Sequence, residues 1–214
     1  MFGLFNYDGP VIQFLNKIAD CVCLSFLWLI SCNPVVTAGA ATTALYYTTN
    51  KCIRHGESHI WSEYWRAFRS NFKQATVLWL ILLLIYGSLG ASCYSSYLMC
   101  TEGALPKEMF FFLLIVIAVI TVWANLIFPY LARFQNTSKM ILKNCLGIVL
   151  MNLPAALLLF AGYILSIVVI VIFPLLILCV PGVYTLLSCY GLERIFMKYM
   201  TPEDRAREEE RIEE

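Results

Sequence analysis

NCLGIVLMNLPAALLLFAGYILSIVVIVIFPLLILCVPGVYTLLSCYGL, running from Asn144 to Leu192, contains no Asp, Glu, Lys or Arg. A helix needs about 20 apolar residues to cross the roughly 30 Å hydrocarbon core of a bilayer. The stretch therefore has room for two spans, provided that the chain reverses tightly between them, and Pro174 is the expected reversal point. Two further charge-free runs, Gln74–Thr101 and Met109–Ala132, have room for one span each. A soluble core helix rarely runs so long without a polar face. The whole chain has the matching composition: 60% hydrophobic, only 14% charged, mean hydropathy +0.74 over 214 residues.

Working outward, the N-terminal sequence MFGLFNYDGP carries Asp8 and no base before Lys17, unlike the basic start of a secretory signal. The apolar segment Val11–Ser31 is expected to remain as a first span. Cys32-Asn33-Pro34 interrupts it, because Pro34 lacks an N–H and disfavours helical backbone at Asn33. Asn33 as N-cap and Pro34 at the first helical position would then start a second helix over Pro34–Cys52. That helix is rich in Gly39, Ala40, Thr43 and Ala44, small residues that let helix backbones approach closely in lipid. The expectation is an all-α, polytopic transmembrane bundle of six spans, with five spans plus a re-entrant second helix as the alternative. Residues 1–200 form one domain, and 201–214 are a charged, acid-rich tail.

Between the second and third spans, Ile60, Trp61, Tyr64, Trp65, Phe68 and Phe72 recur at helical spacing. Glu63, Arg66, Arg69 and Lys73 take the other face. Such an amphipathic helix over 60–72 suits a position flat in the membrane interface. Its alternative use is partner docking through Trp61, Trp65, Arg66 and Arg69. Three basic clusters (Lys51–Lys73, Arg133–Lys143 and Arg194–Arg211) are each two crossings apart. By the positive-inside rule all three face the cytoplasm, together with both termini in the six-span arrangement.

Catalytic apparatus is not visible, and the chain reads as non-enzymatic. His55-Gly56-Glu57-Ser58-His59 lacks the Glu directly after the first His that a zinc-protease helix requires. No metal or cofactor is expected. A net charge of +1 gives no field for nucleic acid. The nine cysteines lie mostly in apolar segments, where a free thiol behaves as a small hydrophobe. Cys93 and Cys100, flanking a predicted external loop, are the one pair that a disulfide could join. Ionisable or amide side chains in spans cost free energy and are candidate binding groups. These are Lys17 and Asp20 on one face of the first span, Asn33 at the break, Asn125 near Pro129, and Asn152 near Pro154. Paired interruptions of this kind can mark a transport site and can equally be packing kinks.

The run Pro34-Val-Val-Thr-Ala-Gly-Ala-Ala-Thr-Thr-Ala-Leu-Tyr46 resembles the signature of the YesL-type family of bacterial membrane proteins. Phe5–Pro10, Leu15–Asp20, Phe68–Gln74 and Pro129–Asn144 add to the likeness. The resemblance implies a multi-pass protein of the bacterial inner membrane with no defined catalytic residues. It also implies a genetic setting beside carbohydrate ABC-transporter components and two-component sensors. The expected role is therefore an accessory or regulatory partner of an ABC-transporter permease or a sensor kinase. Autonomous transport of a small solute is the alternative. The bilayer itself is the other partner, and a homo-oligomer stays open.

Overall fold

The computed structural model describes residues 10–54, 59–101 and 107–200, with the side chains of 10–14 and Lys107 set aside. These residues are almost wholly helical. Helix α1 is Pro10–Ser31, α2 is Ala38–Thr48, α3 is Ile60–Thr101 and α4 is Lys107–Arg133. Helix α5 is Ser138–Met151, α6 is Leu153–Ile172 and α7 is Val180–Tyr199. Short 3₁₀ turns at Val35–Thr37 and Pro174–Leu178 lead into α2 and α7, and a π-helical turn at Thr49–Arg54 extends α2.

Helices α3, α4 and α6 are each long and apolar enough to cross a membrane. Their outward faces stay apolar, with Leu84, Ile115, Leu158 and Val171 among many large side chains left uncovered. Water would penalise so large an apolar surface, whereas lipid does not. The chain is a helical membrane protein.

Helix α2 is the centre of the bundle. Gly39, Ala40, Ala41, Thr43 and Ala44 are all buried, as close packing requires. A Cβ on Gly39 would lie 2.7 Å from the Ala75 carbonyl oxygen and 2.7 Å from Trp79 Cβ, so α2 and α3 touch backbone to backbone here. Helices α1 and α7 cross in the same way at Gly182, whose added Cβ would lie 2.4 Å from the Cys21 carbonyl oxygen. The Ser25 hydroxyl seals that crossing: it accepts from Gly182 N at 2.8 Å and donates to Cys21 O at 2.8 Å.

Several sequence expectations are corrected. The amphipathic segment 60–72 is not a separate helix. It is the first part of α3, because nothing between Lys73 and Ala75 breaks helical backbone and only the environment changes there. At 1.5 Å per residue α3 is about 63 Å long, twice the hydrocarbon thickness, so part of it stands clear of the core. The first of the two spans expected within 144–192 is interrupted at Asn152, whose φ −129°, ψ 44° ends α5 and starts α6. Pro154 in the first turn of α6 explains the break, since its ring excludes a continuous helix through the residues before it. Asn33 does not cap the second helix. The cap position before the 3₁₀ turn is Pro34, and it is Thr37 that donates to Ser31 O at 2.6 Å. Cys93 and Cys100 both lie within α3 as free thiols, seven residues apart on one helix, too far for a bridge. The acid-rich tail, both termini and the segment 55–58 with His55 and Glu57 lie outside the described residues.

Candidate functional site

Glu193 on α7 is the most buried charged side chain described, at 1% exposure. A lone carboxylate could not be held there, because transfer of an unpaired charge out of water is prohibitive. Three elements supply its partners. Arg133, at the end of α4, donates from Nη2 to Oε2 at 2.5 Å. Arg54, from the π-helical turn, places Nη1 3.5 Å from the same oxygen. Tyr46 of α2 donates its hydroxyl to Oε1 at 3.2 Å. Arg54 is itself held by Asn50 Oδ1 at 3.0 Å and lies over the Tyr190 ring at 5.9 Å.

A second carboxylate repeats the pattern nearby. Glu63 on α3 pairs with the buried Lys51 at 3.6 Å and with Arg66 at 2.7 Å, and Arg66 reaches Tyr47 Oη at 3.3 Å. The two networks draw the basic clusters around Lys51–Lys73, Arg133–Lys143 and Arg194 to one end of the bundle. The positive-inside argument asks for the same grouping. This end is also fixed by Tyr130, whose hydroxyl accepts from Asn136 at 3.0 Å and Asn144 at 2.9 Å, and by Gln74, which donates to Asn136 O at 2.6 Å.

Beside the networks, α3 carries an open groove of about 780 Å³ lined by Trp61, Ser62, Trp65, Arg66, Arg69 and Ser70. Trp61 is 62% exposed and meets Trp65 edge-on, with ring centroids 6.2 Å apart. Among the described residues Arg69 and Lys73 have no acidic partner. All four residues expected to dock a partner therefore share one accessible face.

The polar residues singled out in the spans are not gathered into one site. Lys17 is exposed, Asp20 is half-buried, and no hydrogen bond or ion pair joins either of them to a described residue. Asn33 is exposed at the end of α1. Asn152 is structural: it donates to Ile148 O at 3.1 Å and to Tyr199 Oη at 2.9 Å, tying the α5–α6 break to α7. Asn125 donates to Thr121 O at 2.8 Å and accepts from Tyr184 Oη at 3.2 Å. It lines a cavity of about 850 Å³ bounded mainly by α3, α4, α6 and α7. Sequence reasoning missed Glu193, Tyr46 and Ser25. The one available signal was that Glu193 ends the longest charge-free run, which places a charge at the edge of the apolar bundle.

Residues 21–92 match the model of the family described as protein of unknown function, DUF624. The matched region holds the second half of α1, all of α2, the π-helical turn and the first three-quarters of α3, and so includes Tyr46, Arg54, Glu63 and the groove. No curated protein and no solved structure matches the chain.

Proposed function

We propose that this chain is a six-span, non-enzymatic protein of a bacterial inner membrane, with both termini in the cytoplasm, that acts as an accessory or regulatory partner of a carbohydrate ABC-transporter permease or a sensor kinase. The observation that carries this reading is the exposed aromatic and basic face of α3 formed by Trp61, Trp65, Arg66 and Arg69. Buried Trp and Arg dominate protein interfaces energetically, yet here they are left uncovered beside two cations, Arg69 and Lys73, that pair with no carboxylate among the described residues. A partner offering acidic and apolar groups at the membrane boundary fits that face. The DUF624 match agrees with the resemblance of Pro34–Tyr46 to YesL-type proteins, which supplies the transporter and sensor setting.

The test is purification of the tagged protein from native membranes in mild detergent. A permease or kinase recovered in stoichiometric amount is expected, with Trp61→Ala/Trp65→Ala lowering its recovery at least ~10-fold, as loss of interface anchors does. Undiminished recovery with the double variant removes the docking face. A protein recovered alone favours the second reading, autonomous solute transport, whose support is Asn125 at the wall of the internal cavity. The mainly aliphatic and aromatic lining of that cavity suits a sugar or an ion poorly.

A further inference from the structure

Trp61, Trp65, Arg69 and Lys73 follow one another four residues apart along α3, so they make one ridge on its surface. Trp61, Arg69 and Lys73 are exposed and Trp65 is half-buried. The ridge is aromatic at its Trp61 end and cationic at its Lys73 end. Neither Arg69 nor Lys73 meets a carboxylate among the described residues, whereas the neighbouring Arg66 is already taken by Glu63 at 2.7 Å. The open groove on this side of α3 runs past Trp61, Trp65 and Arg69.

The chain itself carries a segment of the complementary chemistry. Residues 201–214 follow α7, and the run Glu208-Glu209-Glu210-Arg211-Ile212-Glu213-Glu214 sets five carboxylates and one base around a single large apolar side chain. The reach is sufficient, because 14 residues extend to about 46 Å. A short run of contacts joins the end of α7 to the ridge. The Phe196 ring lies 5.7 Å from that of Phe134, Asn136 O accepts from Gln74 at 2.6 Å, and Gln74 stands five residues, about 8 Å, from Arg69. The other end of the ridge is tied to α7 as well, through Glu63 on Lys51 and, three residues on, Arg54 on Glu193.

We propose that residues 208–214 of the same chain lie along this ridge, with Glu208, Glu209 and Glu210 at Lys73 and Arg69 and with Ile212 against Trp65 and Trp61. The order follows from the route: a segment arriving from α7 past Gln74 meets the cations first and the tryptophans after them. A tether makes the contact intramolecular, at millimolar effective concentration, so surface ion pairs that are individually weak suffice to hold it. A partner that docks on this face has to displace the segment. The inference shares the face with that partner and does not rest on it, since it concerns the purified chain alone.

The test is photo-cross-linking of the full chain with p-benzoylphenylalanine in place of Ile212, held as a single copy per phosphatidylcholine nanodisc. The expected cross-link joins the tail to a peptide within 61–73. Arg69→Glu/Lys73→Glu should lower its yield at least about five-fold, and so should Glu208→Lys/Glu209→Lys/Glu210→Lys. Combining the two sets should restore the yield, which misfolding of either variant could not mimic. In the parent chain, raising the salt from about 0.1 to about 1 M shortens the Debye length from about 10 to about 3 Å and should also lower the yield. Cross-links that map to other helices or only to lipid overturn the proposal, as does a yield indifferent to charge reversal or a combined variant that does not recover. Loss of the cross-link when phosphatidylglycerol replaces phosphatidylcholine overturns it too, because headgroups then hold the ridge. These outcomes are separate from the recovery of a permease or kinase, which can fail with the tail seated and succeed without it.

Discussion

Glu193→Ala is the most informative single substitution. It removes the acceptor shared by Arg133 at 2.5 Å, Arg54 at 3.5 Å and Tyr46 at 3.2 Å. Breaking a buried ion pair from one side costs roughly 3–5 kcal/mol, because the remaining charge stays buried without its partner. Arg133, at 11% exposure, loses its 2.5 Å carboxylate partner and carries most of the cost. Arg54, at 28%, keeps Asn50 and the Tyr190 ring and contributes less. A total near 3 kcal/mol follows, which for a chain of this size lowers the melting temperature by about 6–12 °C. The assay is thermal unfolding in detergent, followed by a thiol-reactive dye that reports exposure of the buried Cys145 and Cys189. Glu193→Gln keeps an acceptor for Tyr46 and should fall between Ala and the parent. Arg133→Met/Glu193→Met should recover part of the loss, since it removes the more buried cation while Arg54, more exposed and held by Asn50, still loses its carboxylate. A Glu193→Ala protein that melts within about 1 °C of the parent, or a double variant less stable than either single one, refutes the reasoning.

Gly39→Ala and Gly182→Ala should each destabilise the bundle by at least ~1–3 kcal/mol, because the new Cβ meets backbone atoms within 2.7 and 2.4 Å that cannot move aside. Gly87→Ala and Gly90→Ala, where nothing lies within 4 Å, should instead be neutral or raise the melting temperature slightly through helix propensity. The same melting assay checks all four, and equal effects at the four sites would discredit the helix crossings described. Tyr199→Phe removes the hydroxyl that accepts from Asn152 and should cost about 1 kcal/mol. Limited proteolysis near the α5–α6 break should then become faster, and an unchanged cleavage rate would assign Asn152 no tie to α7.

The parts of this fold that were legible in the sequence were those governed by local composition. The charge-free runs marked the apolar bodies of α3, α4 and α6, and the small residues after Pro34 marked α2 as the packed centre. What was not legible depended on competition between neighbours in sequence or in space. Asn152 breaks a run that hydropathy alone reads as one span, and the signal, Pro154, was visible without showing which side of it would yield. The joining of 60–72 to the span after it was hidden because amphipathic and wholly apolar stretches have the same backbone preference. The Glu193 cluster joins residues 46, 54, 133 and 193, and no periodicity links positions so far apart. Arg54 and Arg133 were read as markers of topology, which concerns a side of the membrane. Their additional task, holding α4 and the π-helical turn to α7, is a matter of tertiary contact.

That task explains why an open cavity can persist in a bundle otherwise packed backbone to backbone. Protein interiors collapse onto voids unless something holds the walls apart. Helix α7 is fixed at two levels: at Gly182 by Ser25 and the α1 backbone, and at Glu193 by Tyr46, Arg54 and Arg133. The two levels are eleven residues apart, about 16 Å along the helix. Tyr184, Thr185 and Ser188 lie between them and face the cavity. With α7 fixed at both levels, its middle is held away from α4 and the gap stays open. Tyr46 takes part in both features, with its ring on the cavity wall and its hydroxyl on Glu193. The ionic cluster and the cavity are therefore two faces of one support, and a chain that loses the first should hold the second less well.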